Sequence, residues 1–526
     1  MGFFGEKTKY FNRSLALSIL LIAVSTFNYG FDNQAFATTQ AMNTFQKQFG
    51  ELNPETGIYN LPSDWLALFN SLNYIGFAAG VIIGGWVCDR FGRRWCMFSM
   101  SIYALGTATI AVTSNSREQI MAARILNYVY VGMELSVVPL FQSEIVPAPV
   151  RGLVVGTYQW SLILGGIVIN AICYGTSSIP DNRSWRIPLG LFYVVPSIVA
   201  AGIWFIPESP RWLVRNGRVE EGRAALLKLR QGAFTEEEIT KEFRELEFAM
   251  EHETEKGKVI EIFQGINLRR TLTVVGTNFF QQATGQAFSS QYGGVYVRTL
   301  KIFNPILFTL MTSCFTGLVM VLTLLTNDKV GRRVMLMTSS VCMGAVVLTL
   351  GCLGIESPVS KPKMKGIVGV MCLFGPSFAL GWGPMTMVVA TEVTSLRLRD
   401  KTARLGFFIN TLSNFAVSFS IPYLVFPDRV GLGSKVGFIF AASCLLSFIF
   451  VFFCVPECKG KTLEQVDWLY ANKVRIREFR DRDTSNMLEE AEAQHAQSKG
   501  VEEPDMEREM DGSEKARSQV QVEKAA

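Results

Sequence analysis

The sequence is poor in charge and has very little histidine. Of its 526 residues, 18% are Asp, Glu, Lys or Arg, and its two histidines, His252 and His495, stand in charged segments. A low charge fraction beside 49% apolar residues excludes a largely disordered chain. Because the apolar stretches contain no imidazole, a proton carrier inside them has to be a carboxylate.

The ten cysteines give no metal or disulfide pattern. The sequence has no CxxC pair, and most cysteines stand inside apolar stretches, where they serve as small core residues. It also has no nucleophile motif and no phosphate-binding loop. We therefore expect no bound metal, no cofactor and no enzymatic activity. The excess of basic over acidic residues, 50 against 45, needs no nucleic-acid partner, because basic residues gather in the cytoplasmic loops of membrane proteins.

The apolar residues gather into continuous stretches of about twenty residues, long enough for a helix to cross the ~30 Å hydrocarbon core of a bilayer. Continuous runs favour helices over a barrel, whose strands alternate. The predicted fold class is an all-α polytopic membrane protein with twelve transmembrane helices in two six-helix halves. The predicted spans are residues 15–40, 65–87, 95–113, 120–145, 153–175 and 187–206, then 271–298, 304–326, 334–354, 366–391, 404–426 and 435–454.

The loops predict the orientation. Loops rich in Lys and Arg share one side with both termini, and the positive-inside rule makes that side the cytoplasm. We expect the protein in the plasma membrane, with the sequon at Asn182 facing outward as a glycosylation candidate. The predicted domains are a cytoplasmic N-terminus (1–14), a first half (15–206), a cytoplasmic central loop with short helices (207–270), a second half (271–454) and a cytoplasmic tail (455–526) that is disordered from about residue 473.

An internal repeat relates the two halves. The motif DRFGRR at 89–94 recurs as DKVGRR at 328–333, and a Glu and an Arg seven residues apart occur at 144 and 151 and again at 392 and 399. A Pro-Glu pair at 207–208 recurs at 456–457. Three ordered matches at nearly equal offsets indicate a duplicated six-helix unit, and such repeats place a substrate site at their interface near the midplane.

With these motifs the chain resembles the sugar porter family of the major facilitator superfamily, and is most similar to its fungal members. The resemblance runs from about Asn28 to Thr462 and also includes PLFQSEIVP (139–147), PESPRWL (207–213), FFQQATG (279–285) and PECKGKTLEQV (456–466). It implies a cytoplasmic gate of paired charges that closes in the outward-open state. The gate residues implied are Arg93, Arg94, Glu144, Arg151 and Glu208 in the first half, and Arg332, Arg333, Glu392, Arg399 and Glu457 in the second.

Three charged residues inside spans are candidates for proton coupling. A carboxylate such as Asp32 in mid-helix is costly unless it is paired, and Arg124 in the fourth span is the natural partner. The resemblance supports this assignment, since proton-coupled sugar porters have Asp and Arg at the matching positions. The alternative is a static structural ion pair. Glu134, also in the fourth span, either joins a proton relay or bonds a neighbouring helix.

Amide side chains suit a neutral polyhydroxylated ligand because each offers donors and acceptors. Gln159, Gln281, Gln282 and Asn414 match positions where sugar porters bind the sugar, and the alternative for each is a bond between helices. Gly285 predicts a break in the seventh span, as expected of a gating segment.

Several positions depart from the family pattern. Met387 and Thr411 stand where glucose and xylose porters usually have tryptophan, and Ala287 stands where they have Asn. One of a pair of gating tyrosines is Gln291, while Tyr292 is kept. Loss of ring-stacking surface predicts a site for a larger sugar, a glycoside or a less polar metabolite.

The leading hypothesis is a proton-coupled symporter of a sugar or polyol that works as a monomer in the lipid bilayer by alternating access. One alternative is an efflux carrier for a fungal secondary metabolite, which the missing tryptophans favour. A second alternative is a nutrient sensor that does not transport, although sensors of this fold usually have a longer tail.

Overall fold

The computed structural model describes residues 8–480 and 482, except 53, 55–56, 252–257, 357–358, 396 and 462. The described chain is predominantly helical, as the sequence predicted. A short antiparallel hairpin of β1 (Glu51–Leu52) and β2 (Tyr59–Asn60) lies between the first two predicted spans.

The helices of the first half and of the central loop follow the predicted order. In the first half they are α1 (Arg13–Thr39), α2 (Asn43–Phe49), α3 (Ser63–Ser71), α4 (Asn73–Phe91), α5 (Arg93–Val112), α6 (Arg117–Ile145), α7 (Ala148–Thr176), α8 (Arg183–Gly190) and α9 (Val194–Gly202). In the central loop they are α10 (Pro210–Arg215), α11 (Val219–Arg230) and α12 (Glu236–Glu251).

The second half repeats this pattern of long helices and adds a short helix after the last span. Its helices are α13 (Gly265–Ala283), α14 (Gln286–Ser290), α15 (Gly293–Leu300), α16 (Pro305–Val330), α17 (Arg332–Leu353), α18 (Lys361–Ala379), α19 (Trp382–Glu392), α20 (Arg399–Val425), α21 (Val436–Cys454) and α22 (Leu463–Ala471). Short 3-10 helices span Thr8–Tyr10, Leu191–Tyr193, Ile203–Phe205, Val259–Phe263, Gly433–Lys435 and Ile476–Glu478.

Among the described residues, ten helical stretches are long and apolar enough to cross a membrane. The other two predicted spans correspond to α6 and to the interrupted series α13–α15. Helix α6 has 29 residues, about 43 Å at 1.5 Å per residue, but it contains charged residues such as Arg124 and Glu134. These two segments are less apolar because they hold the polar groups discussed below.

The predicted break in the seventh span is present. Gly285, with φ +94°, separates α13 from α14, and a second irregular turn at Gln291 and Tyr292 separates α14 from α15. A Cβ at Gly285 would lie 2.7 Å from Phe440 Cγ. Glycine therefore allows both the left-handed backbone and the close packing on α21.

Helix α1 packs closely on α7, and this contact brings the candidate site together. A Cβ on Gly30 would lie 1.7 Å from the Leu162 carbonyl oxygen, so the two backbones approach as only glycine allows. The two helices run in the same direction, so the α1 residues after Gly30 lie beside the α7 residues after Leu162: a Cβ on Gly166 would lie 2.9 Å from Gln34 Cγ, and Thr38 donates to Asn170.

The central loop and the tail are anchored by buried arginines. Arg230 on α11 is 1% exposed, donates to the Ile145 carbonyl (2.8 Å) and pairs with Glu242 (2.9 Å). In the second half, Arg270 pairs with Asp467 on α22. The first half therefore anchors the central loop, and the second half anchors the start of the tail.

The predicted start of disorder at about residue 473 differs from the structure, in which the packed chain continues to residue 480. Phe479 is fully buried, with its ring centroid 5.0 Å from that of Tyr470, and Ile476 is also buried. The buried side chains of Ile476 and Phe479 account for the difference. The prediction missed them because it used the average composition of a long polar segment. Residues 483–526 lie outside the described residues.

Candidate functional site

The halves are joined away from the loops that contain Arg93 and Arg332. In the part of the chain that the structure describes, no hydrogen bond or ion pair joins the halves at those loops. The hydrogen bonds and the ion pair that join described residues of the two halves lie elsewhere. Asp428 bonds Ser63 (2.6 and 3.0 Å), and Arg429 pairs with Asp64 (2.7 Å). The others are Gln291 with the Tyr74 hydroxyl (2.8 Å), Asn170 with Ser313 (2.8 Å), and Arg298 with Asn43, Tyr59 and Asn60 (2.9–3.2 Å).

The gate residues of the first half surround the turn between α4 and α5. Gly92 has φ +96°, and a Cβ there would lie 2.6 Å from Glu208 Oε2. The Glu208 carboxylate accepts hydrogen bonds from the N–H groups of Arg93 (3.1 Å) and Arg94 (3.0 Å) and so caps α5. Burial raises the pKa of Glu208, against the backbone hydrogen bonds that favour its charged form. Arg93 makes a bidentate pair with Glu144 (2.7 and 2.8 Å), and both side chains are buried.

The second half repeats this arrangement. Gly331 has φ +104°, and a Cβ there would lie 2.6 Å from Glu457 Oε2. Glu457 accepts from the N–H groups of Arg332 (3.0 Å) and Arg333 (3.1 Å), and the Arg332 side chain pairs with Glu392 (3.0 Å). This second pair is less buried, with side-chain exposures of 13% and 20% against 4% and 5% in the first.

Two predicted gate residues remain, Arg151 and Arg399. Arg399 begins α20, and its Nε and Nη2 atoms have no partner in the described chain. The side chain of Arg151 lies outside the described residues. The gate pairs that are described each lie within one half, so they stabilise the halves separately in this conformation.

A cavity of about 220 Å³ lies between the halves. Helices α1 and α7 line it from the first half, and α14, α16, α18 and α19 line it from the second. None of the described residues that line it is ionisable. The amide and hydroxyl side chains that line it are Asn33, Gln34, Gln159, Gln286, Ser289, Ser290, Thr309, Thr312, Ser313 and Thr316.

Among the predicted substrate residues, Gln159 lines this cavity. The amides of Gln281 and Gln282 instead bond within the second half. Gln281 donates to the Trp382 carbonyl (3.0 Å) and accepts from Asn410 (2.7 Å), and Gln282 donates to Asn410 (3.2 Å). In this conformation, Gln281 and Gln282 therefore make hydrogen bonds between helices, which was the predicted alternative to substrate binding.

Tyr292 and Asn414 lie on the closed side of the interface. The Tyr292 hydroxyl donates to the Ser418 carbonyl (2.6 Å), and Asn414 accepts from the Ser418 hydroxyl (3.2 Å). The neighbouring Gln291 bonds Tyr74 of the first half. Of these residues, Gln291 makes a hydrogen bond that joins the halves.

Met387 and Thr411 lie outside the lining of the described cavity. Met387 is 43% exposed and stands one helical turn beyond Gly383, which does line it, so the two residues share a helix face. Thr411 is half-buried and donates to the Phe407 carbonyl (2.9 Å).

The structure shows no ion pair between Asp32 and Arg124, both of which it describes. Asp32 is 3% exposed, and its Oδ2 has no hydrogen-bond partner. Arg124 donates from Nε to the Phe69 carbonyl (2.7 Å), and its guanidinium carbon lies 3.8 Å from the Phe36 ring centroid and 5.1 Å from that of Tyr128. A carbonyl and two aromatic rings thus hold the cation in place of the predicted carboxylate.

Glu134 is the second intramembrane carboxylate and is fully buried. Neither of its oxygens has a hydrogen-bond partner in the described structure. The polar or ionisable side chains near the Glu134 carboxyl are those of Tyr130, Ser25 and Asp32. The Tyr130 hydroxyl accepts a hydrogen bond from Asn28 (3.2 Å). The two carboxyl groups therefore belong to one buried polar cluster between α1 and α6.

The sequon residue Asn182 is engaged in the fold. Its Nδ2 donates to Gln48 (2.9 Å), and its Oδ1 accepts from the Trp185 indole (3.4 Å). Glycosylation there stays a prediction.

Two repeated halves around an uncharged polar cavity are the architecture of a membrane transporter. The chain belongs to the family described as "Sugar (and other) transporter", whose model matches residues 18–470. This is a family of transporters and not of enzymes.

Known proteins agree with this assignment. The chain is 30% identical to the major facilitator-type transporter ecdD of Aspergillus rugulosus, over 85% of this chain and 86% of that one. It is 27% identical to the low-affinity glucose transporter HXT1 of Saccharomyces cerevisiae, over 88% and 82%. The inward open xylose transporter XylE of E. coli has the same fold, with TM-score 0.69 and 22% identity over 86% of this chain and 98% of that one. The sugar porter family, the major facilitator fold and a multi-pass membrane protein are thereby confirmed.

Proposed function

We propose that this protein is a proton-coupled symporter of a neutral polyhydroxylated solute, a sugar or a related compound. The observation that carries the proposal is the cavity between the halves, whose described lining offers amides and hydroxyls but no charge. Such a surface pairs with hydroxyl groups in both directions and leaves no buried charge unpaired. One chain contains both halves of the pathway, so a monomer suffices.

Asp32 is proposed as the coupling carboxyl. It follows the cavity residue Gly30 and precedes Asn33, so a proton on Asp32 and a solute in the cavity occupy adjacent turns of α1. When Asp32 is ionised, attraction to Arg124 draws the two together. When Asp32 is protonated, Arg124 rests on Phe36, Tyr128 and the Phe69 carbonyl, as observed here. These two arrangements of Arg124 form a two-state element that a single proton biases.

Glu134 is proposed as a second proton acceptor in the same cluster. An unpaired buried carboxylate is costly, and protonation removes that cost. Its position beside Tyr130 and Asn28 supports a relay between Asp32 and Glu134. Exchange of a proton between the two would keep a single negative charge in the cluster.

The conformation supports alternating access with an inward-facing state. With both termini and the Arg93 and Arg332 loops in the cytoplasm of a plasma-membrane protein, the joined side of the halves faces outward. The outward-facing state would then exchange the Asp428 and Arg429 contacts for charge pairs across the gate.

We predict that the loop at Arg218 is cytoplasmic. It is an exposed turn between α10 and α11, so a short accessibility tag inserted after Arg218 should leave the fold intact. An impermeant reagent should label the tag only after the cells are permeabilised. A matched tag at Gly57, in the loop between β1 and β2, should react on intact cells. Labelling at Arg218 on intact cells would overturn the orientation and the gate assignment.

The proposed function is tested by uptake in a host that lacks its own sugar carriers. A panel of labelled sugars, polyols and glycosides should include at least one solute that is accumulated against its gradient, and an uncoupler should abolish that accumulation. Failure to take up any neutral hydroxylated solute, in intact cells or in inverted vesicles, would contradict the proposal.

Export of a less polar metabolite is the second candidate function. The exposed Met387, on the helix face of Gly383, favours it because the position offers flexible apolar surface where glucose porters have a ring. Net accumulation of the solute by inverted vesicles, whose lumen corresponds to the cell exterior, would support export.

We predict that Met387→Trp narrows the solute range. A tryptophan one turn beyond Gly383 would fill the mouth of the cavity, so uptake of bulky solutes should fall about tenfold while that of monosaccharides is kept or improved. Competition by the solute panel against a labelled solute measures this. Phe408→Trp, at an exposed position of α20, is the control for adding a ring elsewhere. An unchanged profile for Met387→Trp would mean that this helix face does not restrict the solute.

A further inference from the structure

Four amide side chains around the cavity have no internal hydrogen bonds. They are Asn33 and Gln34 on α1, Gln159 on α7 and Gln286 on α14. All four are half-buried, and no described residue bonds their amide atoms, which remain open to the cavity. Each amide can donate twice and accept twice. Three of the four, all but Gln159, match no sugar-binding position of the sequence motifs.

Two of the amides that the motifs point to are occupied elsewhere. Gln281 bonds Trp382 and Asn410, and Gln282 bonds Asn410. A solute that bound them would have to break these bonds between helices, at a cost that offsets most of the gain. The accessible polar surface therefore lies nearer to α1 and α14 than the motifs imply.

The cavity also has an apolar wall. Phe308 on α16 and Phe374 and Phe378 on α18 line it, together with Met320. Gly383 stands beside Phe378, and a Cβ there would lie 3.4 Å from that ring. The amides of the first half and α14 are thus opposed to a side that combines these phenylalanines with the hydroxyls of α16.

We propose that Asn33, Gln34 and Gln286 join Gln159 in a polar seat for the hydroxylated ring of a glycoside, whose apolar group packs on Phe308, Phe374 and Phe378. This inference rests on the proposed function and specifies its solute class. A free hexose uses the amides but has no apolar group to pack on the phenylalanine wall. A glycoside with an aryl group covers both sides of the cavity.

The test compares uptake of glucose and of 4-nitrophenyl β-glucoside by purified protein in liposomes. Wild type should show a lower KM for the aryl glucoside than for glucose. Gln34→Leu and Gln286→Leu should each raise the KM for the aryl glucoside by about tenfold, the effect of one or two lost hydrogen bonds, with Vmax within about twofold. Phe378→Leu should raise the KM for the aryl glucoside and leave that for glucose unchanged.

Gln264→Leu is the matched control, because Gln264 is exposed at the start of α13 and far from the cavity in the chain. Stabilisation of each variant by the aryl glucoside in a thermal-shift assay gives a second readout for variants that transport poorly. If Gln281→Leu raises the KM while Gln34→Leu and Gln286→Leu do not, the seat assignment is wrong and the proposed function stands. If wild type takes up neither glucoside nor any sugar of the panel, the proposed function fails first.

Discussion

Replacing Asp32 by Asn is expected to abolish proton-driven accumulation. The amide has the shape of the protonated acid but cannot be charged, so Arg124 stays on Phe36 and Tyr128 as in the structure. The solute should still equilibrate across the membrane, and the uncoupler-sensitive part of uptake should vanish. Steady-state accumulation with and without an uncoupler measures this, beside counterflow exchange in the same vesicles.

Glu134→Gln is the matched variant, because it also neutralises a buried carboxyl of the same cluster. We expect it to slow proton-driven uptake and to keep some accumulation, since Asp32 still titrates. If Asp32→Asn retained full accumulation and Glu134→Gln lost it, the coupling role would belong to Glu134. If both retained it, neither carboxyl would couple transport to protons.

Of the two ion pairs Arg93–Glu144 and Arg332–Glu392, the first is expected to lose more folding stability when its glutamate is replaced by Ala. Glu144→Ala leaves the Arg93 guanidinium, 3% exposed as a residue, without its bidentate partner. Removing one partner of a buried ion pair typically costs about 3–5 kcal/mol, because the other charge stays buried and unpaired. The apparent melting temperature of the purified protein in detergent should fall markedly.

Glu392→Ala removes the equivalent residue of the second half. Because that pair is more exposed, we expect a smaller fall in melting temperature. The repeat makes the two variants a matched comparison within one molecule. A larger effect at Glu392 than at Glu144 would contradict the view that burial decides the contribution of each pair.

The grouping of Glu208 with Arg93 and Arg94, and of Glu457 with Arg332 and Arg333, follows from the internal repeat, which places each of these residues twice. Glu208 and Glu457 cap equivalent helices beside Gly92 and Gly331, and each carboxylate needs a glycine next to it. The spacing of residues in the sequence predicts such local arrangements. Few residue types other than glycine fit a position that has a positive φ and a buried carboxylate packed beside it.

The partners of Arg124 could not be predicted in the same way. Phe36 and Tyr128 lie on different helices, and an aromatic residue in an apolar span looks like ordinary core. Which partner Arg124 takes also depends on the conformation of the protein. A sequence pattern does not distinguish one conformation from another. The free amides were missed for a related reason, because whether Gln281 or Gln286 faces the cavity depends on how α13 and α14 turn about Gly285.

The measurement that tests the central claim most directly is solute-induced proton movement in liposomes that contain the purified protein and a trapped pH dye. Without an imposed gradient, addition of an accepted sugar or glycoside outside should acidify the interior, because each solute enters with a proton. Asp32→Asn should take up solute with no pH change. Solute entry by wild type without acidification would contradict proton symport and leave a passive carrier.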